Sequence, residues 1–168
     1  LLLRPPLVIV LLKKKLHMSL LRQLRNLLIM NKLSGNCECK RISFDIFQEI
    51  KYFSHCHCSQ CRRSHGSAFA SFIEVDKSCF KYISGKENLK SYTSSEQCKR
   101  IFCSICGSNI MFIDETKSNK YYVSAGTING NPKLPSAHHV FVGSKAPWFE
   151  IHDDLKQHCT LPSSYKNE

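Results

Sequence analysis

The sequence predicts a mainly β, single-domain protein. Three observations carry this. From Gly35 onward, apolar residues alternate with polar ones over short runs, as in Ile42, Phe44 and Ile46, which is the period of a half-buried strand. Turn-forming residues separate these runs at short intervals, among them Ser84-Gly85-Lys86 and the Gly/Pro/Asn-rich stretch 129–135. Seven of the ten cysteines fall into tight groups, the spacing of a metal-stapled sheet rather than of a disulfide framework. A chain of 168 residues is long enough for one domain with its own core.

Residues 1–30 differ from the rest. They hold six Lys/Arg and no acid. The apolar stretch 7–12 is too short to span a bilayer, and Lys13-Lys14-Lys15 follows it, whereas a secretory signal carries its charge before the apolar run. Leu16, Leu20, Leu24, Leu27 and Leu28 recur at helical spacing, so 16–30 reads as an extra N-terminal amphipathic helix, basic enough to touch an anionic membrane surface. The competing expectation is that 1–30 is not native and that Met18 or, preferably, Met30 is the natural start. The domain is expected over 31–156, with a polar tail at 157–168.

In chain order, Gly35-Asn36-Cys37-Glu38-Cys39 leads into the first alternating strand. Two cysteines one residue apart on a flat strand would place their sulfurs about 6–7 Å apart, against about 3.8 Å around a tetrahedral zinc. The chain is therefore expected to curl here, with Gly35 and Asn36 supplying the bend. Tyr52-Phe53 precedes the stretch His-Cys-His-Cys-Ser-Gln-Cys-Arg-Arg-Ser-His-Gly at 55–66. Further strands are expected at 67–75, 80–83, 89–92, 99–102, 110–113, 121–125 and 139–142. A polar turn is expected at 93–97, and 146–151 is expected to pack the lone Trp148. Cys103-Ser104-Ile105-Cys106-Gly107 is a knuckle, its glycine accepting a positive φ.

The seven grouped cysteines divide as four plus three. Cys37, Cys39, Cys103 and Cys106 form a complete tetrahedral set from two distant pairs, which would clamp the sheet and contribute to folding. Cys56, Cys58 and Cys61 are one ligand short. The fourth position is open to His55, His57, His65, Cys98, water or a substrate thiol. Filled by a histidine, it makes a second closed structural site; left open, it makes a reactive one. Zinc with three thiolates carries a net charge of −1 and is a weak Lewis acid, better suited to holding a nucleophilic thiolate. The net charge is +11, but residues 31–168 hold 18 Lys/Arg against 13 Asp/Glu. Seven thiolates on two zinc ions would bring that part close to neutral, which argues against nucleic-acid binding.

Taken together, these residues resemble the glutathione-dependent formaldehyde-activating family, which includes centromere protein V. The resemblance lies in Ser-Gly-Asn-Cys-Glu-Cys at 34–39, His-Cys-His-Cys-Ser-Gln-Cys-Arg-Arg at 55–63 and Gly-Ser-Ala-Phe at 66–69. It continues in Phe-Cys-Ser-Ile-Cys-Gly-Ser-Asn-Ile at 102–110, Ala-Gly-Thr-Ile-Asn at 125–129 and Ser-Lys-Ala-Pro-Trp-Phe-Glu-Ile at 144–151. It implies a mostly β tent fold built around zinc, a structural zinc on Cys37, Cys39, Cys103 and Cys106, and a zinc tied to activity on Cys56, Cys58 and Cys61. It implies carbon–sulfur lyase chemistry, with glutathione joined to formaldehyde as S-(hydroxymethyl)glutathione; the closely spaced thiols and the lack of a good signal peptide before them make the cytoplasm the expected location.

Arg62 and Arg63 are candidates to bind the glutathione carboxylates. His139 is expected to be a satisfied core histidine, Trp148 core, and Cys79, Cys98 and Cys159 buried small residues or free thiols. The leading expectation is an enzyme with two zinc ions, acting on a small thiol and an aldehyde or related electrophile. The alternative is a zinc-stabilised protein-binding module without catalysis.

Overall fold

The structure, a computed structural model, describes residues 17, 18, 32–117 and 119–162. The helix expected at 16–30 lies outside these, apart from His17 and Met18, which are helical. Eleven strands follow: β1 (Lys32–Asn36), β2 (Ser43–Phe47), β3 (Phe53–Cys56), β4 (Ala70–Asp76), β5 (Phe80–Ser84), β6 (Leu89–Ser95), β7 (Cys98–Cys103), β8 (Asn109–Asp114), β9 (Lys120–Ser124), β10 (His138–Val140) and β11 (Lys156–His158), with helix α1 (Ser59–His65) between β3 and β4. They form a small sheet, β1-β2-β5, and a large one, β11-β10-β3-β4-β9-β8-β7-β6. The mainly β class is as expected. The pairing is mixed rather than purely antiparallel, because β10 runs parallel to both β3 and β11.

The large sheet is covered on both faces. Along β4, Ile73 and Val75 join one core, and Ala70 and Phe72 join another, as strand alternation requires. The register carries this parity across the sheet: Ile73 pairs with Val123 and Val123 with Met111, while Tyr122 pairs with Phe112. The first core lies against the small sheet and takes in Phe44, Ile46, Cys37 and Cys103. The second takes in Cys56, Cys61, Tyr122 and Val140. Each cysteine group therefore belongs to a different face. A bulge between β7 and β8 leaves one extra residue in β8, Ile110, and both Ile110 and Met111 are buried in the first core.

Several expectations are corrected. The turn carrying Cys37 and Cys39 is not bent at Gly35, which lies within β1 opposite Phe44. The bend comes later, at Lys40, with φ 60°, where the Lys40 N–H donates to the Cys37 carbonyl at 2.9 Å. Gly35 is needed for space instead: a Cβ there would stand 2.3 Å from the Phe44 ring and 2.7 Å from the Thr127 carbonyl oxygen. The strand expected at 139–142 ends at Val140, because Phe141 adopts φ 58°. The boundary expected at 156 falls inside β11, so part of the expected tail belongs to the sheet. Trp148 is not packed but 70% exposed.

Gly35→Ala is expected to lower stability by about 1–3 kcal/mol through overpacking. Gly66→Ala, with open space around it but φ +60°, is expected to cost only about 1–2 kcal/mol of backbone strain. Urea-unfolding midpoints of the metal-loaded proteins check both, and the expected order is Gly35→Ala lowest.

Candidate metal centres

The first cluster joins the two sheets. Cys37 and Cys39 sit in the turn between β1 and β2; Cys103 ends β7, and Cys106 lies in the knuckle before β8. All four sulfurs lie within 4.8 Å of one another. Cys37 and Cys39 are 3.5 Å apart and Cys39 and Cys103 3.9 Å, close to the ~3.8 Å edge of a tetrahedral sulfur site. Gly107 takes φ 77° as the knuckle requires, and its N–H donates to the Cys103 carbonyl at 2.9 Å. The Ile42 N–H donates to the Cys37 sulfur at 3.3 Å. The Ser108 hydroxyl, 3.3 Å from the Cys106 sulfur, helps hold that thiol down at about 5.

The second cluster is built where β3 turns into α1. Cys56 ends β3, Cys58 caps the helix, and Cys61 lies in its first turn. The Cys58 sulfur accepts from the Cys61 N–H at 3.4 Å, so the cap that starts the helix also brings two of the sulfurs together. All three sulfurs lie within 4.8 Å of one another. Cys58 is held far below the thiol range by hydrogen bonds from Cys56 and Cys61, and the same contact with Cys58 pushes Cys56 up. Sulfurs crowded this closely share protons until a cation replaces them, and both donor sets suit a soft divalent ion such as zinc.

No fourth protein ligand joins the trio among the described residues. The His55 Nδ1 is 2.9 Å from the Ser71 hydroxyl, and His65 stands edge-on to Phe72. His57 is fully buried on another partner, its Nε2 2.7 Å from the His139 Nδ1. The His139 Nε2 lies 3.1 Å from both Asp153 carboxylate oxygens. The carboxylate fixes the tautomer: His139 donates to Asp153 from Nε2 and accepts from His57 at Nδ1. His139 is thus a satisfied core histidine. Cys98 lies outside the sulfur cluster.

Beside the trio opens a cavity of about 210 Å³, with Cys56, Cys58 and Cys61 on its wall. Phe112, Tyr122, Phe141 and Leu161 give it an apolar side; Arg100, Lys117 and Asp114 give it charge. Arg62 and Arg63 do not line it; the Arg62 Nε instead donates to the His57 carbonyl at 3.2 Å. Three features escaped the sequence reading. Arg100, 4% exposed, donates from Nη2 to the Cys61 sulfur at 3.4 Å. Phe141 holds a left-handed backbone, unusual for a bulky residue. The chain Asp153–His139–His57 anchors the residue between Cys56 and Cys58. The histidines alone were a signal for that chain; Phe141 had none.

Comparison with known proteins agrees with this geometry. A family model described as glutathione-dependent formaldehyde-activating enzyme matches residues 32–144. An uncharacterised lyase of Schizosaccharomyces pombe is 31% identical over 122 residues, covering 73% of this chain and 87% of its own. The crystal structure of a Rhodobacter sphaeroides protein aligns with a TM-score of 0.51 at 25% identity, covering 61% of this chain and 97% of that one. With seven of its ten cysteines gathered into one set of four and one of three inside the matched span, the chain belongs to the glutathione-dependent formaldehyde-activating enzyme family.

Proposed function

We propose that the protein is a zinc-dependent carbon–sulfur lyase, or thiol-adduct enzyme, that handles glutathione or a related small thiol together with formaldehyde or a similar electrophile. One observation carries the reading: three sulfurs gathered within 4.8 Å, with no fourth protein ligand among the described residues and a cavity open beside them. Family membership and a lyase-named relative support it. Cys37, Cys39, Cys103 and Cys106 hold a structural zinc, and Cys56, Cys58 and Cys61 hold a second. A zinc ion held by those three sulfurs would supply an open position at which a guest thiol could ionise and stay nucleophilic.

The chain's own residues do the rest. Phe112, Tyr122, Phe141 and Leu161 exclude water around the guest's sulfur and β-carbon. Arg100 and Lys117, rather than Arg62 and Arg63, are the cations beside that guest. In the addition the guest sulfur attacks the carbonyl carbon, a C–S bond forms, and the π pair moves to oxygen, which takes up a proton; the lyase direction reverses each step. The cavity is smaller than a whole tripeptide, so it takes the thiol end and leaves the rest at the rim. Such thiol chemistry fits a reducing cytoplasm, and no helix among the described residues is long and apolar enough to cross a membrane. The exposed Trp148 favours, as a second reading, a zinc-stabilised module that docks a protein partner.

Cys58→Ser is expected to lose one of two bound zinc ions and to lower thiol-dependent turnover by more than about 100-fold, beyond what outer-sphere changes cost, with the β-sheet circular dichroism retained. Undiminished turnover rejects a catalytic second site. Cobalt-substituted protein is expected to change its sulfur-to-metal charge-transfer bands when glutathione is added; a silent spectrum favours the docking module. Because the ligand sulfurs bind metal only as thiolates, protons compete as pH falls. Zinc release, read with a colorimetric chelator between pH 7.5 and 5, is expected from the three-sulfur site before the four-sulfur one.

A further inference from the structure

Arg100 lies on β7 opposite Phe112, on the face of the large sheet that carries the trio. Its guanidinium carbon stands 5.9 Å from the Phe112 ring centroid, and the residue lines the cavity. Among the described residues its Nε has no hydrogen-bond partner. Among the described residues no carboxylate comes within ion-pair distance of it. A guanidinium stays charged at any working pH, and a buried charge without a counter-charge is strongly disfavoured. The Arg100 Nη2 instead donates to the Cys61 sulfur at 3.4 Å, a group that becomes negative when it ligates a metal as thiolate.

Three thiolates on a divalent ion leave a charge of −1, and a fourth thiolate would make it −2. A neutral guest adds nothing. A fixed cation against one of the three sulfurs therefore matters most when the guest is itself an anion.

We propose that Arg100 is a positioning residue that selects anionic guests: its permanent charge against Cys61 lets a thiolate, or another soft anion, join the three sulfurs. This rests on the reading of the trio as an open thiol-binding metal site, and it adds the charge class of the guest and the residue that sets it.

The test uses the full-length, cobalt-substituted protein with three probes: 2-mercaptoethanol, thiocyanate and imidazole. Wild type, R100K and R100M are compared for cobalt content and for affinity from the visible bands. R100M is expected to keep its cobalt, to bind mercaptoethanol and thiocyanate at least about tenfold more weakly, and to bind imidazole within about twofold of wild type. R100K is expected to recover part of the anion affinity. Equal weakening of all three probes means a packing role and overturns the proposal, as does unchanged anion affinity in R100M. If R100M loses its cobalt, R100Q replaces it. Metal loss in both neutral variants but not in R100K means that the charge serves the three sulfurs themselves and overturns guest selection; loss in all three overturns any charge role. Wild type that takes up no probe overturns the thiol-binding reading itself, a result separate from an indifferent R100M.

Discussion

The structure depends on a sheet that is buried on both sides. Because successive side chains point to opposite faces, one strand must serve two cores: β4 sends Ile73 and Val75 to one and Ala70 and Phe72 to the other. Neighbouring strands must hold the same parity, so the register is fixed by two cores rather than one. The two cysteine clusters inherit this separation. One closes the gap between the small sheet and the knuckle after β7; the other sits where β3 runs into α1.

The clusters also differ in what holds their backbone. Around the four sulfurs, tight turns do the work, with Lys40 and Gly107 in the left-handed region and N–H groups aimed inward. Around the three, a seven-residue helix is started by a cysteine cap, and His57 between two sulfurs is tied down by its backbone N–H to the Val140 carbonyl at 2.9 Å, by Arg62 on its carbonyl, and by the imidazole chain to Asp153. A helix that short has little stability of its own. Its geometry is therefore coupled to whatever the three sulfurs bind.

Much of this was legible in the residues. Alternation in Ile42, Phe44 and Ile46 gave β2, and cysteine spacing alone separated the set of four from the set of three. What escaped was written in tertiary contact. Helix α1 buries only Cys61, so it has no apolar period to read. β11, Lys-Gln-His, is polar because it lies at the sheet edge. Arg100 looks like any strand cation until the register sets it opposite Phe112 and beside Cys61. Trp148 was expected in the core, but among the described residues nothing closes over it, and it is exposed. Gly35 was read as a hinge, when its lack of a side chain makes room for the Phe44 ring.

The walls of the cavity come from two sources. Phe112 and Tyr122 stand on β8 and β9, stacked with ring centroids 4.4 Å apart, and cannot change without disturbing the sheet. Phe141 follows β10 and Leu161 follows β11, and these segments meet where the Phe141 N–H donates to the Thr160 carbonyl oxygen at 3.4 Å. Evolution can therefore rewrite half of the vestibule without touching a sulfur. A lineage of such proteins can keep one cysteine-clustered chassis and diverge in diet.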